Sequence, residues 1–192
     1  MKFYIADPHF GHENVIHYDN RPFKTVQEMD EEMIRRWNAV VGPTDEVYIL
    51  GDFCWQTERR WETLLIQLNG IKTLIKGNHD ITPSRTRKLF ADVNDYKEIN
   101  DNGRKVVLCH YPIPCFNKHY YGAYHLYGHV HNSFEYNMME HDRYLMEELY
   151  TQPCKMYNVG AMMEEINYTP RTLDQILEGY DIAHRRYKKK DI

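Results

Sequence analysis

The sequence has few cysteines, no long apolar run and no excess of positive charge. Its four cysteines, Cys54, Cys109, Cys115 and Cys154, include no CxxC pair, which argues against a disulfide framework or a thiolate zinc site. No apolar run approaches the ~20 residues that span a bilayer, and a strand-like stretch follows Met1 where a signal segment would be basic and then apolar. We therefore expect a cytoplasmic protein without a membrane partner.

The balance of charge restricts the partners of the chain. A formal net charge of -4 argues against non-specific binding to nucleic acid, which depends on Lys and Arg neutralising phosphates. The basic run at 185–190 is typical of a solvated end, so we assign it no role. At 192 residues and 42% hydrophobic content, the chain predicts a single domain, 1–192, with one packed core.

Short apolar runs alternate with amphipathic segments, which is typical of an α/β protein. Strands are predicted at 2–6, 46–50, 71–76, 96–100, 105–110, 125–127 and 156–159. Helices are predicted after Thr25 as far as Gly42-Pro43, after Thr57 as its cap, more weakly at 138–150, and from Thr172. The turn residues Asn102-Gly103 favour a hairpin, so the sheet is expected to be mixed.

Polar, ligand-type side chains follow the ends of the predicted strands. They are Asp7, His9, Asp52, Asn78, His79, Asp80, His110, His129 and His131. In open α/β sheets ligands bind outside the carboxyl ends of the strands, where residues distant in sequence can converge. Each short motif alone also fits a polar turn, but their joint position at strand ends favours one functional site.

The order of these motifs resembles the calcineurin-like metallophosphoesterase superfamily. The pattern D-x-H, GD, GNH(D/E), a lone H and GH-x-H reads here as Asp7-Pro8-His9, Gly51-Asp52, Gly77-Asn78-His79-Asp80, His110 and Gly128-His129-Val130-His131. The likeness extends to about residue 160 and is greatest to small bacterial and phage members. It implies an α/β sandwich of two mixed β-sheets packed face to face, with helices outside and a dimetal site at one edge.

The resemblance also implies the ligands of two divalent cations. One would be held by Asp7, His9, Asp52 and His131, and the other by Asp52, Asn78, His110 and His129. Carboxylate, imidazole and amide oxygen suit borderline or hard cations, so Mn is favoured and Fe, Zn or Ni are alternatives. Two cations about 3.5 to 4 Å apart can share a hydroxide that attacks phosphorus in line.

Further roles follow for residues beside the predicted ligands. By the same resemblance, His79 would protonate the leaving group while Asp80 orients its ring. His12 is expected to contact substrate, unless it faces water at the start of a helix. Tyr111 belongs to a tyrosine-rich stretch that would either stack on an aromatic group or pack a long loop.

Two other segments carry alternatives. Arg85, Arg87 and Lys88 either steer an anionic substrate or are ordinary exposed charges. The stretch 132–155 is either an insertion that acts as a lid or a packing helix.

The predicted reaction is hydrolysis of a phosphodiester, with a small nucleotide-like substrate favoured. The alternatives are a phosphomonoesterase, a nuclease acting on polynucleotide ends, and a non-catalytic metal-binding interaction scaffold. The nuclease would require a basic groove, which the net charge disfavours. The scaffold is disfavoured because every ligand position of the family pattern is present in the sequence.

Overall fold

The first of two sheets contains the N-terminal strands. The structure is a computed structural model that describes residues 1–55, 57–81 and 86–188. Strands β1 (Lys2–Ile5), β2 (Glu46–Leu50), β3 (Ile71–Ile75) and β4 (Asp92–Asn94) pair in that order. All three pairs are parallel, because helices return the chain between β1 and β2 and between β2 and β3.

The second sheet contains β5 (Tyr96–Asp101), β6 (Arg104–Cys109), β7 (Tyr124–Tyr127) and β8 (Met156–Asn158), again in chain order. The predicted hairpin joins β5 to β6 as an antiparallel pair, and both turn residues, Asn102 and Gly103, have positive φ, as a two-residue hairpin turn requires. The pairs β6·β7 and β7·β8 are parallel.

Within the described ranges, five α-helices accompany the sheets: α1 (Glu13–Tyr18), α2 (Val26–Val40), α3 (Glu58–Gln67), α4 (Phe134–Tyr150) and α5 (Leu173–Lys188). Thr25 caps α2 by accepting a hydrogen bond from the Glu28 N–H, and Thr172 caps α5 in a reciprocal pair with Gln175. Thr57 occupies the cap position of α3, but its side chain makes no capping hydrogen bond.

Side chains of both sheets meet in one core. Ile5, Ile49 and Leu74 of the first sheet belong to the same buried cluster as Val106 and Leu108 of the second. The same cluster takes in Met33 and Trp37 of α2, and Trp61 and Leu64 of α3. Residues alternate between the faces of a strand, so Val107 points the other way and joins a smaller cluster with Met146 of α4. The predicted class, α/β with two sheets flanked by helices, is confirmed.

Several details differ from the sequence prediction. The second sheet is mixed as expected, whereas the strand pairs of the first are parallel. The short helix α1 was considered only as an alternative for the segment after His12, and the three-residue strand β4 was not predicted, because neither is long enough to show a hydrophobic period. Helix α4 begins at Phe134, four residues before the expected 138, where Ser133 accepts a hydrogen bond from Glu135 N–H.

The remaining sequence predictions on the fold have mixed outcomes. All four cysteines are free thiols. None of the helices in the described part of the chain has the length and hydropathy that crossing a bilayer requires. Helix α4 packs on the second sheet through Met146, which fits a packing helix, and a lid role for 132–155 stays a prediction. Arg85 and the side chains of the basic run 185–190 lie outside the described residues.

Candidate metal centre

The carboxyl ends of strands from both sheets meet at one edge of the molecule. Asp7 follows β1 and Asp52 follows β2, while Asn78 lies three residues after β3. From the second sheet, His110 follows β6 and His129 follows β7 by one residue. Parallel strands bring their carboxyl ends to the same edge, so the structure gathers the predicted ligand positions into one cluster.

The first ligand group consists of Asp7, His9, His131 and the shared Asp52. His9 Nε2 lies 3.2 Å from His131 Nε2 and 3.7 Å from Asp52 Oδ2. His131 Nε2 lies 3.9 Å from Asp7 Oδ1. Donor atoms of Asp7, His9 and His131 all lie within 4.8 Å of one another. Such a cluster of carboxylate and imidazole is able to hold a divalent cation.

The second ligand group consists of Asn78, His110, His129 and again Asp52. His110 Nε2 lies 3.7 Å from Asp52 Oδ2 and 3.0 Å from Asn78 Oδ1. His129 Nδ1 also lies 3.0 Å from Asn78 Oδ1. The Oδ2 atom of Asp52 is therefore equally distant from His9 Nε2 of the first group and His110 Nε2 of the second.

The hydrogen bonding of His110 is compatible with a cation at the second group. Its Nδ1 lies 2.9 Å from the carbonyl oxygen of Leu50, which only accepts hydrogen bonds, so Nδ1 carries the proton. Burial lowers the pKa of His110, which favours the neutral ring with a lone pair on Nε2. That lone pair faces Asn78 Oδ1, a second acceptor as the amide is oriented here. Two acceptors in contact are stabilised by a cation between them.

Asp7 gives a separate indication in the first group. Its carboxylate is fully buried; Oδ2 accepts the His129 N–H, but Oδ1 has no hydrogen-bond partner among the described residues. Burial raises the pKa of Asp7 to about 7. A buried carboxylate with an unpaired oxygen is costly unless it is protonated or bound to a cation, so Asp7 fits the cation that its neighbours would share.

The loops that carry these side chains are tightly constrained. Asp7, His9, Asp52, His129 and His131 all have positive φ, a conformation that is uncommon for residues other than glycine and is concentrated at functional sites. Such turns direct the side chains of neighbouring residues toward one point.

The glycines of the motifs are explained by close approach. A Cβ at Gly51 would clash with the His110 ring, and one at Gly77 would clash with the Asp52 carboxylate. A Cβ at Gly128 would clash with Asp7. Each of these glycines therefore leaves the space that a candidate ligand occupies.

Asp19 and Arg21 support the first ligand group and were not predicted. Asp19 Oδ1 accepts a 2.7 Å hydrogen bond from His131 Nδ1, which leaves Nε2 free for a cation. Although burial raises the pKa of Asp19, hydrogen bonds from His131 and Arg21 lower it overall. Buried Arg21 also donates to the carbonyl oxygens of Asp7 and Pro8. Both residues lie in a loop after α1 without motif or period, so the sequence carried no signal for them.

His79 is exposed beside the cluster. The backbone N–H of His79 donates to Asp52 Oδ1 over 3.0 Å, and the centroid of its ring lies 6.3 Å from that of the His9 ring. The side chain is therefore free to meet a bound molecule next to the first ligand group.

Asp80 binds the backbone of two loops beside the cluster. Its carboxylate accepts hydrogen bonds from the backbone N–H groups of Gly77, Asp52 and Phe53. Burial raises the pKa of Asp80 to about 6. The carboxylate ties the loop after β2 to the loop after β3, and the role of Asp80 in orienting the His79 ring stays a prediction.

Both predicted substrate contacts border the cluster. The ring of His12 lies 5.5 Å from that of His9 and stacks on Trp55 at 4.5 Å. Tyr111 is 45% exposed, and its ring packs edge-on against that of His129 at 4.6 Å. Trp55 was not predicted at the cluster, since a lone tryptophan in a loop follows no pattern.

The other predicted contacts serve packing or lie apart. Tyr120 packs on His119 and Tyr150, and Tyr127 is buried under α4. Arg87 lies 3.8 Å from Asp92. The tyrosine-rich stretch thus mainly packs a long loop, with Tyr111 at the cluster.

The fold and the cluster define an α/β protein of two sheets with a candidate metal centre at their shared edge. The chain is 34% identical over 178 residues to the uncharacterized protein MJ1445 of Methanocaldococcus jannaschii, a match that covers 92% of this chain and 89% of MJ1445. The chain therefore belongs to the family of MJ1445. No protein-family model matches it.

Two solved structures are similar to this chain to different degrees. The protein of unknown function AQ665 from Aquifex aeolicus is similar with a TM-score of 0.68 and 26% identity, over 93% of this chain and 98% of that protein. YfcE, a phosphoesterase from E. coli, gives a TM-score of 0.34 and 15% identity over 67% of this chain and 69% of YfcE. The latter likeness is too low to carry an argument about function.

Proposed function

We propose that the chain is a phosphoesterase that depends on two divalent cations, with Mn²⁺ favoured, and that it hydrolyses phosphodiesters. The observation that carries the proposal is the pair of ligand groups that share Asp52, each with donor atoms directed at one another. The chain order of the motifs supports the same reaction, since it resembles that of the calcineurin-like metallophosphoesterases.

The proposed chemistry divides between cations and protein. When bound, two cations would neutralise the phosphate and supply a nucleophile at neutral pH. Asp52 would hold both, and Asp19 would keep the His131 ring turned toward the first. His79 would donate a proton to the departing ester oxygen, because its exposed ring lies beside the first ligand group.

The preference for a diester follows from the borders of the cluster. Trp55 and His12 lie beside His79 and His9, and Tyr111 lies beside His129 of the second ligand group. A diester has an organic arm on each side of phosphorus, and each arm would then meet an aromatic side chain. A monoester has a single organic arm, so it would contact the aromatic side chains on only one side of the cluster.

The test combines activity with metal content. The metal-stripped protein is reloaded with Mn²⁺ and assayed on a chromogenic phosphodiester and its monoester counterpart, while bound metal is counted by elemental analysis. We expect two cations per chain and faster hydrolysis of the diester. Faster hydrolysis of the monoester would make the chain a phosphatase, and two bound cations without hydrolysis would favour the interaction scaffold.

Asp52→Asn tests the bridging role. The variant is expected to lose both cations and all hydrolysis above background, because each ligand group depends on that carboxylate. The matched control is Asp174→Asn, which changes an exposed carboxylate paired with Arg104 at the opposite edge of the sheets. An Asp52→Asn protein that retains two cations and activity would refute the proposed bridge.

A further inference from the structure

Trp55 differs from the other two tryptophans in its exposure. Trp37 and Trp61 are buried in the core at 1% and 2% exposure, whereas Trp55 is 45% exposed. A single exposed apolar side chain is ordinary, but Trp55 belongs to a connected aromatic surface. Its ring stacks on His12 at 4.5 Å and 25°, and Tyr18, which is 74% exposed, lies 6.4 Å from His12.

The aromatic surface reaches the candidate metal centre through His79. The ring of Trp55 packs edge-on against that of His79, with centroids 4.6 Å apart. On its other side, His12 lies 5.5 Å from His9 of the first ligand group. Trp55 therefore stands directly beside the side chain that would face the departing ester oxygen.

The backbone fixes Trp55 in place. Its N–H donates to the carbonyl oxygen of Phe10 over 2.9 Å, and a β-bridge joins Phe10 to Cys54. The carbonyl oxygen of Cys54 in turn accepts a hydrogen bond from the buried Trp61 indole. A stacking surface that is already positioned loses little conformational entropy when a ligand binds.

We propose that Trp55, supported by His12, is a stacking subsite for an aromatic ring on the leaving-group arm of the substrate, such as a nucleobase. The inference rests on the proposed function for the identity of that arm. Aromatic stacking is sequence-tolerant and strengthens binding of any base with an accessible face. The subsite thus selects nucleoside-like arms over aliphatic ones without reading one particular base.

The first experiment measures binding without catalysis. Adenosine 5′-monophosphate and ribose 5-phosphate carry the same phosphate and sugar, and only the first has a base. We expect Trp55→Ala to weaken binding of the nucleotide by about tenfold or more, measured by calorimetry, with a smaller change for ribose 5-phosphate. Trp55→Phe should retain most of the nucleotide affinity.

The control is Tyr121→Ala, which removes an aromatic ring that is 87% exposed and precedes β7, at the edge opposite the candidate metal centre. It should bind both compounds as the unmodified protein does. Equal weakening of both compounds by Trp55→Ala, or no weakening of either, would overturn the subsite.

A second measurement needs no variant. Because Trp37 and Trp61 are buried, acrylamide quenching of tryptophan fluorescence reports mainly on Trp55. Adenosine 5′-monophosphate should protect the fluorescence from quenching and ribose 5-phosphate should not. Equal protection by both, or protection by neither, would contradict stacking on Trp55. Hydrolysis without this discrimination would refute the subsite alone, and discrimination without hydrolysis would refute the phosphoesterase alone.

Discussion

The two ligand groups share Asp52 but differ in their surroundings. In the first, Asp7 and His9 are 0% and 4% exposed, and Asp19 fixes the ring of His131. In the second, His110 is buried, whereas Asn78 is exposed and His129 is half-buried against Tyr111. In the proposed two-cation scheme, the first position would then be enclosed, with its side chains held before a cation binds, and the second would be open to solvent.

Among variants that retain both cations, the largest effect is expected for the exposed His79, which contacts substrate in this scheme and no cation. His79→Ala should retain both cations and slow hydrolysis by roughly 10²- to 10⁴-fold. The loss should be greatest for esters with poor leaving groups, since these need protonation most. Steady-state rates across a leaving-group series measure this, and a uniform loss across the series would remove His79 from the role of acid.

The enclosed character of the first ligand group can be tested by the effect of Asp7→Asn on the stability of the metal-free protein. Because burial raises the pKa of Asp7 to about 7, ionisation of this carboxyl destabilises the metal-free fold. The loss of folding stability is absent below the ordinary carboxyl pKa near 4, grows as the pH rises, and is complete above pH 7. The variant should therefore gain at most about 4 kcal/mol over the unmodified metal-free protein at pH 8, and little at pH 4.

Urea unfolding of the metal-free proteins at both pH values measures that difference. The variant should also lose the cation of the first ligand group. A gain in stability that is the same at pH 4 and pH 8 would show that ionisation of Asp7 is not its cause.

Asp19→Asn should weaken the first ligand group selectively. Loss of a carboxylate that orients a ligating histidine typically lowers metal affinity by about 10- to 100-fold. Competition with a chromogenic chelator should show this loss in one of two binding steps. Similar weakening of both steps would mean that the two groups do not respond separately.

The smallest effect should appear on graded chelation of the unmodified protein. Because Asn78 and His129 are accessible, we expect the cation of the second ligand group to leave first and that of the first group to remain longer. Metal content followed over time should give two phases. A single phase that removes both cations together would break the distinction between enclosed and open positions.

Much of the candidate metal centre was readable from the sequence because its residues follow strands. A buried strand can be recognised by its run of apolar residues. A polar residue soon after it, such as Asp52 or His110, then stands out in the sequence. The carboxyl edge then brings such residues together irrespective of loop length. The hairpin at Asn102-Gly103 was equally readable, since few residue pairs accept positive φ.

The residues that escaped prediction act through tertiary contacts. Asp19 reaches His131 across 112 positions of sequence, and nothing local marks that pairing. For Asp80, the sequence predicted a contact with the His79 ring, but it gave no sign that the carboxylate also accepts hydrogen bonds from the backbone of Asp52 and Phe53. The place of Trp55 beside the candidate metal centre is apparent only from its contacts with the rings of His12 and His79.

The glycines beside the ligands carry a consequence for reading natural and laboratory variants. Gly77 has no chemistry of its own, yet a methyl group there would occupy the position of the Asp52 carboxylate. A substitution such as Gly77→Ala would accordingly displace Asp52, its carboxylate and its backbone nitrogen alike, and give the phenotype of a lost ligand. In a mutational scan, substitutions at Gly51, Gly77 and Gly128 should therefore be as damaging as substitutions of the neighbouring aspartates and histidines. Intolerance at these three positions would mark the site as clearly as loss of a candidate ligand does.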